Sequence, residues 1–178
     1  MKERLKKKLA SNSDINYLTS IFKSNTFSTF QLTGGAIVDI LEDRKPKDFD
    51  ITGSLPTGKE ILVYNGFSFI DETKTAVTFV RNGMTVQLLK TTIPEFDYTI
   101  SQARYGLGTD IFDIDLISFH DKVLVPTENA WRDIGNTVSS LSRMYHWAKK
   151  GYYLPEKTYL SLLSFGTGFK ISSLDTSS

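Results

Sequence analysis

The stretch from Leu32 to Gly53, LTGGAIVDILEDRKPKDFDITG, limits what this chain can fold into more than any other. Thr29 to Thr33 reads as a strand that runs straight into Gly34-Gly35, and Ala36 to Leu41 as a helix that begins at those glycines. Asp43 to Lys47, with Pro46, reads as a loop, and Phe49 to Thr52 as a second strand. On a strand, residues i and i+2 share a face about 7 Å apart. Asp48 and Asp50 therefore stand side by side while Phe49 turns to the core. Two carboxylates that close repel and favour a counter-cation. Their hard oxygens suit Mg²⁺, which takes one or two carboxylates together with phosphate oxygens and water. The glycines let an anion approach the backbone, and the helix that opens there offers free N–H groups and a partial positive charge. A glycine pair or a D-x-D alone is ordinary turn and cap chemistry. In this order they make an anion cradle beside a metal-binding pair, the equipment of phosphoryl or nucleotidyl transfer.

The remaining pattern surrounds this unit with strands and helices. Leu5 and Leu9, then Ile15, Leu18, Ile21 and Phe22, recur at helical spacing, with the capping residues SNSD between them. After a turn-rich piece from Gly53 to Gly58, a short helix is expected over Lys59 to Tyr64 and a strand over Phe67 to Ile70. Ala76 to Arg81 and Met84 to Lys90 flank Asn82-Gly83, a strong hairpin signal. Ile100 to Tyr105 is expected to be helical and Val123 to Pro126 a short strand. Arg132 to Lys150 is the longest helix, with Ile134, Val138, Leu141, Tyr145 and Ala148 on its apolar face and Gly151 ending it. Pro155 to Leu163 suits one more helix. The order predicts an α+β fold: a mixed sheet with helices packed on one side and a short helical C-terminal part. Residues 1–126 are expected to form the main domain, 127–165 a helical extension and 166–178 a flexible tail.

Composition excludes several classes. The 178 residues suffice for one domain with a core, and no run approaches the roughly 18 apolar residues that span a bilayer. MKERLKKKLA lacks the apolar segment of a secretory signal. The chain has no cysteine, which removes disulfides and thiolate sites and fits a cytoplasmic protein. Net charge is +1, so basic character is local, at Lys2 to Lys8 and at Arg143, Lys149 and Lys150. Trp131 and Trp147 read as core or helix-packing residues, His146 as a packed or capped imidazole, and Asp113 and Asp115 as structural.

GGAIVDILEDRKPKDFDIT resembles the signature of the class II tRNA nucleotidyltransferases (CCA-adding enzymes) and the bacterial poly(A) polymerases. Gly34, Gly35, Asp39, Leu41, Arg44, Pro46, Asp48, Asp50 and Thr52 match that pattern without a gap. EFDYTISQARYG is similar to the family's second motif through Asp97, Thr99, Ile100, Ala103 and Tyr105. DIFDIDLISFHDKVLVP occupies the place of the next segment, and SSLSRMYHWAKKGY loosely resembles the helix that begins the family's neck. The resemblance implies a polymerase β-like nucleotidyltransferase head with catalytic Asp48 and Asp50 holding Mg²⁺ or Mn²⁺. It implies a triphosphate on Gly34 and Gly35 and Asp97 on the ribose side. Asp39, Arg44, Lys47 and Arg104 complete the expected nucleotide-binding set, and Arg143, Lys149 and Lys150 are candidate nucleic-acid contacts. The implied partners are an NTP and RNA or tRNA, with a protein acceptor left open and no membrane.

The pattern breaks at its cations. Val38 stands where the family has arginine, and Glu95 and Phe96 replace two arginines ahead of Asp97. Such arginines neutralise phosphate or read a base, so Arg44, Lys45, Lys47 or Arg104 would have to compensate. Gln87 stands where related enzymes carry a third acidic residue. A neutral amide is a poorer metal ligand and cannot deprotonate an acceptor hydroxyl. Two readings follow: a minimal nucleotidyltransferase, or a nucleotidyltransferase fold that binds nucleic acid, a nucleotide or a protein without transfer.

Overall fold

Seven strands run in the order β3-β4-β5-β2-β1-β6-β7 in a computed structural model of the chain, which describes residues 1–23, 29–132 and 134–167. They are β1 (Gln31–Thr33), β2 (Phe49–Thr52), β3 (Ser68–Glu72), β4 (Ala76–Arg81), β5 (Met84–Leu89), β6 (Arg104–Gly106) and β7 (Phe112–Asp113). Only β2 and β5 pair in parallel, so the sheet is mixed, as the sequence predicts. The helices are α1 (Lys2–Ala10), α2 (Ser13–Phe22), α3 (Gly35–Leu41), α4 (Leu55–Tyr64), α5 (Leu116–Asp121), α6 (Ile134–Lys149) and α7 (Glu156–Thr167).

Two compact units result. The first comprises Met1–Pro94 and Ser101–Ile114, the second Glu95–Ile100 and the chain from Asp115 on. The sequence suggests boundaries after residues 126 and 165. The expected tail falls largely beyond residue 167, outside the described residues.

In the first unit the sheet is two-faced. Leu32, Phe49, Ile51, Val77, Phe79, Val86 and Leu88 are buried together with Leu9, Ile15, Leu18 and Ile37 from the helices. The intervening positions, Thr33, Asp50, Thr78 and Gln87, are polar, the alternation of a sheet covered by helices on one side. Local signals explain most element ends. Asn12 caps α2 by accepting from the Ile15 N–H. Ser54 caps α4, whose Pro56 fits the first helical turn. That cap starts α4 four residues before the expected Lys59. Asn82 and Gly83 both take positive φ, 48° and 77°, as a tight hairpin turn requires. Gly53, at φ 151°, leaves no room for a Cβ, which would lie 2.4 Å from the Phe30 ring.

Three expectations are corrected. Residues 100–105 do not form an α-helix: Thr99–Gln102 is one 3-10 turn and Arg104–Gly106 is strand β6, paired with β1. That non-local pairing overrides local preference. Val123 to Pro126 makes isolated bridges to Tyr153 and Tyr98 instead of a strand. On α6 the buried positions are Thr137, Ser140 and Trp147, whereas Val138 and Tyr145 are 63% and 60% exposed and Ala148 is exposed as well. Ser140 can face inward because its hydroxyl is bonded there, so the apolar period does not mark the buried face. The side chain of Ile134 lies outside the described residues.

Candidate active site

The glycine pair and the aspartate pair meet through the register of β1 and β2. Thr33 pairs with Asp50 in an antiparallel ladder, so the chain leaves β1 into Gly34-Gly35 at the end of the sheet where Asp48 enters β2. Neighbouring strands lie about 4.8 Å apart, which makes the two motifs one local structure. Gly34 has φ 69° and ψ −130°, a conformation that disfavours side chains. Its N–H donates to the Ala103 carbonyl at 3.0 Å. Ile37 and Val38 both donate to the Gly34 carbonyl, at 3.2 and 3.4 Å. The N–H groups at the helix start, on Gly35 and Ala36, have no intrahelical acceptor by the geometry of an α-helix.

The same ladders define a cross-strand row. Asp113 (β7) pairs with Arg104 (β6), Arg104 with Thr33 (β1), Thr33 with Asp50 (β2), Asp50 with Gln87 (β5) and Gln87 with Thr78 (β4). Laterally paired residues share a face, so exposed Arg104 stands two strands from Asp50 on the polar side. Gln87, expected in place of a third acid, lies directly beside Asp50. Its amide nitrogen is 3.5 Å from Thr78 Oγ1, a long contact. Among the described residues, no group of three or more His, Cys, Asp and Glu is assembled as a metal cage. Asp48, just ahead of β2, and Asp50, on it, could hold a Mg²⁺ or Mn²⁺ ion that completes its shell with phosphate oxygens and water. They lack the third acid of a two-ion site.

Other sequence candidates are engaged elsewhere. Arg44 makes ion pairs with Asp39, Nε to Oδ1 at 3.1 Å, and with Glu42, at 2.9 Å, and its N–H donates to the Asp39 carbonyl at 2.7 Å. Asp39, 8% exposed, thereby clasps the loop that leads to Asp48. Lys47 lines a cavity together with Phe49. In the basic N-terminal segment, Lys2, Lys6 and Lys8 pair with Asp113, Asp110 and Asp43.

Asp97 belongs to the second unit. It is 2% exposed, and its Oδ2 accepts from Arg143 Nε at 2.6 Å and from the Ser140 hydroxyl at 3.0 Å. Its Oδ1 is buried with no hydrogen-bond donor among the described residues. Alongside, Trp131 Nε1 donates to the Tyr98 hydroxyl at 3.1 Å, which donates to the Ser140 carbonyl at 2.9 Å. Burial pushes the Tyr98 hydroxyl up to about 12. Arg143 is thus a carboxylate clamp that remains half exposed. Lys149 lies over the Tyr145 ring and Lys150 over Trp147, at 4.6 and 5.1 Å. Trp131 and Trp147 are buried, as expected of core residues, while His146 is exposed with its ring 6.0 Å from that of Tyr145. The Asp97–Ser140–Arg143 triad escaped sequence reasoning because Ser140 carries no apolar signal. The spacing of Ser140 and Arg143 by three on one helix is the clue it does contain.

No family model and no curated protein matches this sequence. Solved structures do. The Thermotoga maritima CCA-adding enzyme complexed with tRNA superposes with TM-score 0.66 at 17% identity, covering 88% of this chain and 43% of its own. A CCA-adding enzyme in complex with CTP gives 0.66 at 15%, covering 90% and 44%. A tRNA nucleotidyltransferase complexed with a primer tRNA and an incoming ATP analogue gives 0.61 at 15%, covering 82% and 48%. The fold is a nucleotidyltransferase fold. It resembles the head domain of these enzymes, and the chain spans less than half of their length. Within that nucleotidyltransferase fold, Asp50 occupies the fourth strand of seven. Among the described residues, no helix is long and apolar enough to cross a membrane.

Proposed function

We propose that the chain is a metal-dependent nucleotidyltransferase that moves a nucleoside monophosphate from an NTP to a hydroxyl acceptor, an RNA end by preference. The observation that carries this reading is the Thr33–Asp50 register, which joins the glycine turn to the aspartate pair. The structural neighbours in complex with CTP, an ATP analogue and tRNA support the choice of nucleotide and RNA. The acceptor oxygen would form a bond to the α-phosphorus as the bond to the bridging oxygen breaks, releasing pyrophosphate. Asp48 and Asp50 would hold Mg²⁺ or Mn²⁺, which supplies charge neutralisation and a template for in-line displacement. Gly34 and Gly35 let the triphosphate reach the backbone, and Arg104 offers a cation on the same sheet face. Gln87 cannot take the acceptor's proton, so that task falls to an aspartate or to water. Asp97 and Arg143, in the second unit, are left out of this assignment. The absence of cysteine leads us to a cytoplasmic setting.

The test is incubation with each labelled NTP, Mg²⁺ or Mn²⁺ and bulk RNA. Label transfer that vanishes in Asp48→Asn and Asp50→Asn carries the reading, and the absence of any metal-dependent NTP binding sinks it. A second reading, binding without transfer, draws on Gln87 beside Asp50. It expects RNA affinity that falls with salt and is indifferent to Asp48→Asn.

A further inference from the structure

Behind the catalytic strand lies a cavity of about 310 Å³, walled by α2, the loop ahead of β2 and the β4–β5 hairpin turn. Strand parity separates it from the aspartates. Lys47 and Phe49 line it, while the intervening Asp48 and the following Asp50 do not. Its charged lining is Lys45, Lys47 and Arg81 against one carboxylate, Asp14. Cations brought this close favour an anion between them.

Several other basic side chains in this unit, Lys2, Lys6, Lys8 and Arg44 among them, have carboxylate partners. Among the described residues, exposed Lys45 and Lys47 enter no ion pair. Arg81 is held ready. Its guanidinium lies over the Tyr17 ring, 5.6 Å from the centroid, and donates to the Tyr17 hydroxyl. Tyr17 is itself stacked on Phe67 at 6.5 Å. An arginine braced in this way loses little entropy on gripping phosphate oxygens.

We propose that this cavity is a second ligand site, which takes a nucleoside phosphate. The volume stands near the lower end of the ~300–1,000 Å³ of small-ligand pockets, enough for a single nucleotide. The three cations address the phosphate. Tyr17, Pro46 and Met84, each partly exposed, offer a wall for sugar and base, and Asp14 offers an acceptor for a hydroxyl or amino group, which a bare phosphate site would not need. Binding here requires no metal, so it stands or falls independently of the transfer reaction.

The experiment is equilibrium dialysis of the full chain with labelled AMP and CMP in EDTA, which removes metal-dependent binding at the aspartate pair. Metal-free binding is expected, at least tenfold weaker in Arg81→Gln and in Lys45→Glu and unchanged in Asp48→Asn/Asp50→Asn. Lys45 is exposed, so Lys45→Glu decides the matter should Arg81→Gln fail to fold. No binding at millimolar nucleotide overturns the proposal, as does binding indifferent to both cavity variants. Inorganic phosphate that binds as tightly as AMP also overturns it, because the nucleoside would then contribute nothing. A 5′-phosphorylated oligonucleotide distinguishes the sources. Competition with AMP assigns the site to an RNA end and its failure to free nucleotide, and both outcomes uphold a nucleoside phosphate.

Discussion

The chain contains two D-x-D sequences with the same spacing and opposite fates. Asp48 and Asp50 flank buried Phe49, and Asp113 and Asp115 flank buried Ile114. Asp113 and Asp50 even share one cross-strand row, three strands apart. Asp113 pairs laterally with Arg104 and accepts from Lys2 Nζ at 2.9 Å. Asp115 is consumed by structure: Oδ1 accepts from the Ser118 N–H at 3.0 Å to cap α5, and Oδ2 from the Thr99 hydroxyl at 2.7 Å. Asp50, by contrast, is registered between two uncharged residues, Thr33 and Gln87. Spacing alone does not decide what a pair of carboxylates does. What distinguishes the pairs is the chemistry each strand register places beside the carboxylates.

The largest test of this contrast is removal of charge from each pair. Asp48→Asn and Asp50→Asn should lower nucleotidyl transfer by about 10³-fold, roughly 4 kcal/mol of transition-state stabilisation, with thermal stability unchanged or slightly raised as like-charge repulsion is relieved. Asp113→Asn should leave the turnover rate near wild type. Equal loss in both pairs, read as initial rates on labelled NTP, would dissolve the distinction.

Next comes the neutral neighbour. Gln87→Asp adds a third carboxylate beside Asp50, and the expected result is about a tenfold gain in Mn²⁺-dependent rate. Stability should fall in metal-free buffer through the added repulsion and recover when Mn²⁺ is supplied. A variant indifferent to Mn²⁺ in both rate and melting temperature would show that the face does not bind metal, and would favour the reading of binding without transfer.

Much of this contrast was legible in the sequence, and its limits are physical. Phe49 to Thr52 and the two arms around Asn82-Gly83 could be bounded closely, because a glycine turn and period-two alternation are local signals. Arg104's place in the row was not legible, since β6 is three residues long and exists only by pairing with β1. The buried face of α6 was hidden for another reason. Ser140 goes inside on the strength of its bond to Asp97, and hydrophobic periodicity cannot register a polar residue buried with its partner. The rear cavity was equally invisible, because Arg81 joins Lys45 and Lys47 only once β4 is in place.

A smaller effect is expected from the structural aspartate. Asp115→Ala removes a helix cap and the Thr99 bond, and should cost about 1–2 kcal/mol of stability. Asp115→Asn, which keeps an acceptor oxygen, should recover most of it. Chemical denaturation followed by tryptophan fluorescence reports on this change, since Trp131 and Trp147 both belong to the second unit. An effect on nucleotide turnover larger than that on stability would mean that Asp115 has been misread as structural.

The smallest effect belongs to Asp113, and its sign follows from linkage. The hydrogen bond from Lys2 holds the Asp113 carboxyl below the ordinary aspartate value. The folded state therefore binds this proton less readily than the unfolded state. The resulting stabilisation is complete above the unfolded pKa, near 4, and is lost as pH falls through the lowered folded value. Both side chains are about half exposed, so water and salt screen the pair and its contribution is slight. In low salt, Asp113→Asn should flatten this small acid limb of the stability profile. Moderate salt should abolish the difference between the variant and the wild type, because exposed charges are screened within about 10 Å at 0.1 M. A difference that survives salt would mean that Asp113 is fixed by something stronger than Lys2, and the cation facing it in the row, Arg104, would be the next residue to neutralise.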